Sequence, residues 1–490
     1  MAHDGRVRVP SVLDRPALMR LISQLRTKRW FPFKSDSIVD ASLIDAIPEV
    51  ISPGESAIVI ADIRTTSGGS IMVITPSLRA PSFSGNTALY SDAVEDGSIS
   101  TLISRFSSGN SIDGSSGRIT LQGPYAEEFQ AYMKTHQQVV PLNVEQSNSS
   151  FTIGSQYICK VFRRPISPDN PDFTIPVKLY TETGFRNIPR PIAQIVHEPD
   201  PLLSVASIQE NVKNSGDYWH YFLQLSRNMA EKLNHGSSAA EEYISDMGAS
   251  AAELAETVSE MHRALYGIRG PGFAHEKFTA EDISSMKLRY MDLASAIRRT
   301  PISLSINGRL YDGVDFYEMI KSFVDNFDFS PMRTIEKIRY HGDLHLVQIL
   351  KTKRGPVIID FEGEPLRGES ERSSPGCVLK DVAGMTRSID YALSFYSRTD
   401  EKLSRKTEKI SMEMRNIFLE AYFNKSSDLP TIPEHMDDFI KATAYYEVEK
   451  AVYEANYEMN NRPDWIIIPA RALVKTLSNK SSSERFRRMK

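Results

Sequence analysis

The strongest chemical signal in the chain is Tyr340-His341-Gly342-Asp343-Leu344-His345-Leu346-Val347-Gln348, followed by Val357-Ile358-Ile359-Asp360-Phe361-Glu362. Phosphoryl transfer needs a carboxylate that orients the attacking hydroxyl and takes its proton. It also needs hard oxygen ligands for the Mg²⁺ that bridges the nucleotide phosphates. Asp343 and Gln348 stand five residues apart, and Asp360 lies 17 beyond Asp343. Base, metal-binding amide and metal-binding carboxylate follow in this order in a kinase catalytic loop. The apolar run Val357–Ile359 predicts a strand that delivers Asp360 rigidly. A lone HGD would read as a polar turn; the spaced amide and the strand-borne carboxylate lift it above that. A metal-hydrolase reading of His341, Asp343 and His345 leaves Gln348 without a purpose and supplies no third ligand of recognisable spacing.

These groups need a partner that holds the nucleotide. Ser150–Ile153 and Gln156–Phe162 flank Gly154-Ser155, a hairpin signal that places Lys160 on a strand. An ammonium there is a fixed counter-charge for the α/β-phosphates. Ser149 and Ser150, just after Asn148, would contact the phosphates in place of a glycine-rich loop. Two further strands, Ile192–Val196 and Leu203–Glu210, lead to a lobe connection where Gln209, Glu210 and Val212 would lie along the adenine. From Gly216 the pattern turns helical: 217–234, 239–266, 315–327, 380–395, 401–424 and 434–460. On the last of these, Lys450, Tyr453 and Tyr457 share one face, as a sugar site would use them. Asp381 sits where a helix N-cap is expected.

The expected order is an N-terminal α+β cap (1–135), a β-rich nucleotide lobe (136–214) and an α-rich lobe (215–490). Composition is that of a globular chain of 490 residues, 41% hydrophobic and 24% charged. The net charge of −4 excludes a protein built to grip a phosphate backbone. Two cysteines exclude a disulfide framework or a four-thiolate zinc site. The N-terminus shows no apolar core of a secretory signal, and no stretch approaches 18 apolar residues. A cytoplasmic protein, monomeric by default and without a nucleic-acid or membrane partner, is the expectation.

Read together, HGDLHLVQIL, IIDFEGEPLR, KDVAGMTRSIDYA and KAVYEANYEMNNRPDWIIIPARAL resemble the maltokinase branch of the aminoglycoside-phosphotransferase-like kinases. EQSNSSFTIGSQYICKVFRR, EMHRAL and KRWFPFK extend the resemblance over nearly the whole chain. It implies an α+β, bilobal, protein-kinase-like fold with an N-terminal cap. The implied reaction converts ATP and maltose to ADP and maltose 1-phosphate, feeding α-glucan synthesis, with a trehalose-to-maltose isomerase as partner. It also implies that Asp343 is the catalytic base, that Gln348 and Asp360 are Mg²⁺ ligands, and that Lys450, Tyr453 and Tyr457 touch a disaccharide. His345 and Arg387 join the acceptor side, with Glu454 and Trp465 as weaker candidates and Glu362 as an auxiliary contact.

Two places depart from the branch pattern. Thr174 stands where a Glu usually pairs with the strand lysine, so either Glu182 substitutes or Lys160 is held differently. Pro32-Phe33 replaces two glycines. Three readings stay open: a maltokinase, the same machinery acting on glucosamine or another monosaccharide, and a silent nucleotide- or glycan-binding module.

Overall fold

The computed structural model describes the chain except residues 1–6, 10–12, 29, 34–35, 53, 79–89, 143–147, 235–239, 365–367 and 479–490. The basic C-terminal tail and parts of the EQSNSS and DFEGEPLR words fall outside the described residues. Two compact units result: Met1–Tyr180 with Pro189–Lys213, and Thr181–Ile188 with Asn214–Lys490.

In the first unit, the first half of the strand Ile58–Thr65, Ile58 to Ala61, is apolar without alternation because both its faces are buried there. Ile58 and Ile60 point into one core, and Val59, Ala61 and Ile63 into another. The second core is closed by the helix Arg15–Leu25 and by Trp30 and Phe31. The first core is shared with Phe151, Tyr157, Ile195 and Ile208 of a seven-stranded antiparallel sheet. That sheet runs Val139–Leu142, Ser149–Ile153, Tyr157–Ile166, Leu203–Glu210, Pro191–Glu198, Arg118–Gln122, Ser111–Asp113. The boundary expected at residue 135 therefore does not divide this unit. Two of the sheet's strands come from the expected cap, and one core serves both.

The second unit is helical, and the helices Tyr218–Asn234, Ala240–Gly267, Leu379–Ser394, Glu401–Ser426 and Met436–Asn461 lie close to their expected spans. Ala280–Arg299 is a helix that the periodicity reading passed over. Its signal was a Thr279/Asp282 capping box, in which each side chain satisfies the other residue's backbone N–H. The hairpin Ile349–Thr352/Gly355–Ile358 interrupts the helices, with Ile349 paired to Ile358. No helix of the described residues is long and apolar enough to cross a membrane.

Candidate active site

Hairpin register brings the two expected metal ligands together. Gln348 precedes the first strand and Asp360 follows the second; the Ile359 N–H donates to the Gln348 carbonyl at 2.9 Å. Gln348 Nε2 then donates to Asp360 Oδ2 at 2.9 Å. Asp360 has φ +68°, a left-handed backbone that non-glycine residues adopt rarely and that aims its carboxylate out of the strand direction. An amide oxygen and a carboxylate side by side are the hard donors that Mg²⁺ takes. The residues fit that ion, which when bound would neutralise the nucleotide's phosphate charge. Glu362 lies half-buried two residues on.

The loop around Asp343 is held from below. Asp381 accepts from the backbone N–H of His341 at 2.8 Å and of Gly342 at 2.9 Å. The buried His262 donates to the same carboxylate from Nε2 at 3.1 Å. Asp381 is thus an anchor for the loop that carries Asp343, not the expected N-cap. It is the third residue of Leu379–Ser394, whose N-cap position carries no side-chain bond. The helix comes close because of Gly384, where a Cβ would sit 2.3 Å from the Leu344 carbonyl oxygen. His341 is spent within the loop: Nε2 donates to the Ile359 carbonyl and Nδ1 accepts from the Asp343 N–H. That use of both nitrogens removes it from any metal-hydrolase reading.

Lys450 donates to Asp343 Oδ1 at 3.1 Å. Burial pushes the Asp343 carboxyl up, but the Lys450 ammonium outweighs it, and with His345 and His341 brings it down to about 2. The carboxylate is therefore ionised at neutral pH, as a proton acceptor must be. Burial works against the Lys450 charge as well, yet Asp343, Glu364 and Glu454 hold it above its usual range. His345 Nε2 lies 3.9 Å from Asp343 Oδ2, and burial pushes its imidazole below its ordinary value.

Against Asp343 opens a cavity of about 220 Å³. Tyr446, Glu449, Lys450 and Tyr453 of Met436–Asn461 form one wall; Glu364, Glu371, Arg289 and Lys380 stand around the rest. Arg289 and Glu371 form an ion pair. Glu449 makes no side-chain hydrogen bond or ion pair among the described residues. Tyr457 does not line this cavity. Two helical turns beyond Lys450 displace it about 10 Å along the axis, and it is 45% exposed beside Arg462. Arg387 is also off the cavity: buried at 5% exposure, it ties Asp390 to Glu454, with Nη2 2.6 Å from the Glu454 carboxylate. It is a tie between helices, which corrects its placement among acceptor contacts.

The nucleotide candidates lie in the first unit. Lys160 donates to Asp172 at 3.0 Å, and both side chains are nearly buried. The departure at Thr174 is thereby resolved: the lysine's carboxylate comes from two residues earlier. Thr174 instead donates to the Asn170 carbonyl at 3.1 Å. The Asn170 side chain accepts from the Asp172 N–H at 3.0 Å, starting the helix Pro171–Glu182 and setting the Asp172 direction. The N-P-D word itself carried this signal. Ser149 and Ser150 pair with Val161 and Lys160 across the hairpin. Gln209 and Glu210 end the strand Leu203–Glu210, Glu210 accepting from the Arg190 N–H, and Val212 is buried just before the units divide.

No family model matches the chain. It is 23% identical over 347 residues to a glucosamine kinase of Mycolicibacterium smegmatis, covering 70% of this chain and 80% of that one. Against a glucosamine kinase of Streptacidiphilus jiangxiensis the identity is 25% over 342 residues, covering 68% and 72%. Among solved structures, a glucosamine kinase superposes with a TM-score of 0.62 at 18% identity, covering 90% of this chain and 93% of that one. Another, in complex with glucosamine, ADP and inorganic phosphate, gives 0.60, covering 91% and 96%. The fold is the expected α+β, kinase-like one, and the relatives found in sequence are sugar kinases.

Proposed function

We propose that this chain is an ATP-dependent, Mg²⁺-requiring kinase that phosphorylates a hydroxyl of an amino monosaccharide, glucosamine foremost. The carrying observation is a small cavity floored by an ionised Asp343 and lined by both carboxylates and cations, in which Glu449 makes no side-chain hydrogen bond or ion pair among the described residues. An uncommitted carboxylate in a partly enclosed cavity favours a cationic ligand, and an amino sugar brings one ammonium group. The sugar hydroxyl donates to Asp343, which takes its proton as the oxygen attacks the γ-phosphorus. The products are ADP and the phosphorylated sugar. Gln348 and Asp360 hold the metal, and Lys160, fixed by Asp172, meets the nucleotide phosphates.

Maltose is the less supported acceptor. A 220 Å³ cavity lies below the roughly 300–1,000 Å³ that drug-sized molecules occupy, and Tyr457 offers no wall for a second ring. The link to α-glucan synthesis and the isomerase partner depend on maltose and recede with it. The sequence relatives and the fold relative holding glucosamine and ADP support the same choice.

The test is ADP release with glucosamine, glucose, maltose and trehalose as acceptors. Glucosamine gives the highest kcat/KM, and Glu449→Gln narrows its lead over glucose about tenfold, the worth of one charge-assisted hydrogen bond. Turnover on maltose alone returns the function to maltokinase, and turnover on none defeats the kinase reading.

A further inference from the structure

Two elements besides Met436–Asn461 bring charged side chains to the cavity against Asp343. Arg289 and Leu293, one turn apart on Ala280–Arg299, line it, and so does Glu371 of the short helix Glu369–Ser373. Ala280–Arg299 is fastened to Met436–Asn461 on both sides of Arg289. The Tyr446 hydroxyl donates to Met286 Sδ at 3.9 Å, and Asn456 Nδ2 donates to the Leu293 carbonyl at 2.9 Å. The backbone at Arg289 is therefore fixed against the helix that carries Lys450. Glu371 is held from another direction. Its neighbour Arg372 donates from Nη1 to the Glu362 carbonyl at 3.3 Å, two residues past Asp360.

Between these two anchored elements, Arg289 Nη2 donates to Glu371 Oε1, and the two residues form an ion pair. Each side chain is 38% exposed while lining the cavity, which places the pair at the cavity's rim. The pair spans from Ala280–Arg299 to the segment that follows Asp360. An ion pair this exposed parts at a modest cost. A ligand that fits with the pair closed does not meet that cost, and one that must part the pair does. Such a difference is how a site discriminates without any new attraction.

We propose that the Arg289–Glu371 pair sets the size limit of the acceptor site. One sugar ring with a hydroxyl at Asp343 is accommodated inside the closed pair, and a second ring binds only when the pair parts. The pair acts on which acceptor enters, not on the proton transfer at Asp343. This rests on the reading above of the cavity as the acceptor site of a sugar kinase.

The experiment compares glucosamine with its β-1,4-linked dimer, which keeps the ammonium groups and offers every hydroxyl of the monomer on one ring or the other. It is read as kcat/KM for glucosamine and as the inhibition constant of the dimer against glucosamine. Arg289→Ala and Glu371→Ala each tighten the dimer relative to glucosamine about fivefold, the upper end of what an exposed ion pair resists. Arg289→Glu, which sets two carboxylates face to face, does at least as much. Combining Arg289→Glu with Glu371→Arg rebuilds the pair in reverse and returns the ratio to within about twofold of wild type, the coupling expected of residues in contact. Thermal unfolding certifies each variant; should Arg289→Ala fail to fold, Glu371→Ala carries the same prediction. A folded alanine variant whose ratio is unchanged, a loss shared equally by monomer and dimer, or a reversed pair no closer to wild type than Arg289→Glu alone overturns the inference and leaves the kinase reading intact. So does a wild-type chain that takes monomer and dimer alike. A wild-type chain that turns over no sugar overturns both.

Discussion

Among the described residues each unit buries one His–Asp pair, His197–Asp45 in the first and His262–Asp381 in the second, at 3.0 and 3.1 Å. All four side chains are at most 1% exposed. What surrounds them differs. His197 meets an acceptor on both nitrogens, Asp45 on Nε2 and the Pro201 carbonyl at 2.7 Å on Nδ1. Both nitrogens must donate, so His197 is an imidazolium. Burial opposes that charge, but the bond to Asp45 raises its pKa above the ordinary histidine value. Asp45 spends its remaining capacity on Ala46, Ser115 and Ser116. This pair closes strands and turns onto one another. His262 instead meets Asp381 on Nε2 and the Tyr422 hydroxyl at 2.7 Å on Nδ1. A hydroxyl can donate, so Nδ1 can accept from Tyr422 while Nε2 donates to Asp381, and Asp381 keeps its other oxygen for Gly342 of the loop that carries Asp343. The same two residue types serve architecture in one place and positioning in the other, and the carboxylate's remaining partners decide which.

The largest effect separates the two carboxylates. Asp381→Asn presents an N–H₂ to backbone donors and shifts the loop that carries Asp343. Because about 1 Å of misplacement can cost 10²-fold in rate, kcat falls at least about 100-fold. Asp45→Asn costs about 2–3 kcal/mol of stability, as for losing charged hydrogen bonds, with kcat within twofold. Steady-state turnover and urea unfolding of both variants check this. A hundredfold loss of kcat in a folded Asp45→Asn would erase the distinction.

Stability against pH sharpens it. Asp45 is pulled to about 2: burial raises it, but bonds from His197, Ser116, Ser115 and Ala46 win. A depressed carboxyl stabilises above its unfolded value near 4 and loses that contribution as pH falls toward 2. The acid limb is worth about 2 kcal/mol. His197, raised, stabilises below its unfolded value near 6.5 and loses that as pH climbs through its folded value. The stability difference between wild type and Asp45→Asn is therefore largest between about pH 4 and 6.5 and shrinks on both sides. A difference flat from pH 2 to 9 would show that His197 is not charged by Asp45.

Much of the site was legible where it is local in sequence. Asp343, Gln348 and Asp360 fall within one loop and one hairpin, so spacing nearly dictates proximity, and Gln348 does meet Asp360. Long-range partners were not legible. Asp172 reaches Lys160 from a helix start, and the search for its partner fixed on a glutamate further along the helix. Asp381 had the look of an N-cap because only the fold brings His341 and Gly342 to it. Glu449 stands beside Lys450 and was passed over, since helical spacing favoured 450, 453 and 457 and gave no depth of cavity. Tyr457 and Arg387 show the converse: a shared helix face or a functional-looking arginine does not say which side chains the neighbouring helices consume. The strands at 111–122 were read as cap because their partners lie about 75 residues away in the chain.

The smallest effect probes the end of the relay. Tyr422 is fully buried, and its hydroxyl meets Nδ1 of His262, whose Nε2 donates to Asp381. Tyr422→Phe removes that donor and keeps the ring, including its stacking on Phe439 at 5.9 Å. Nδ1 of His262 is then a buried acceptor without a partner, a cost of about 1–2 kcal/mol in stability. The ring can relieve this by rotating, and that change reaches the loop through Asp381. Turnover falls about three- to tenfold with the ATP Michaelis constant unchanged, because no nucleotide contact is touched. His197 offers the control: Gln at 197 can donate to Asp45 but not also to Pro201, so His197→Gln lowers stability by a similar amount and leaves kcat alone. Equal losses of kcat from Tyr422→Phe and His197→Gln would mean that turnover follows stability alone and that the His262–Asp381 pair has no positioning role.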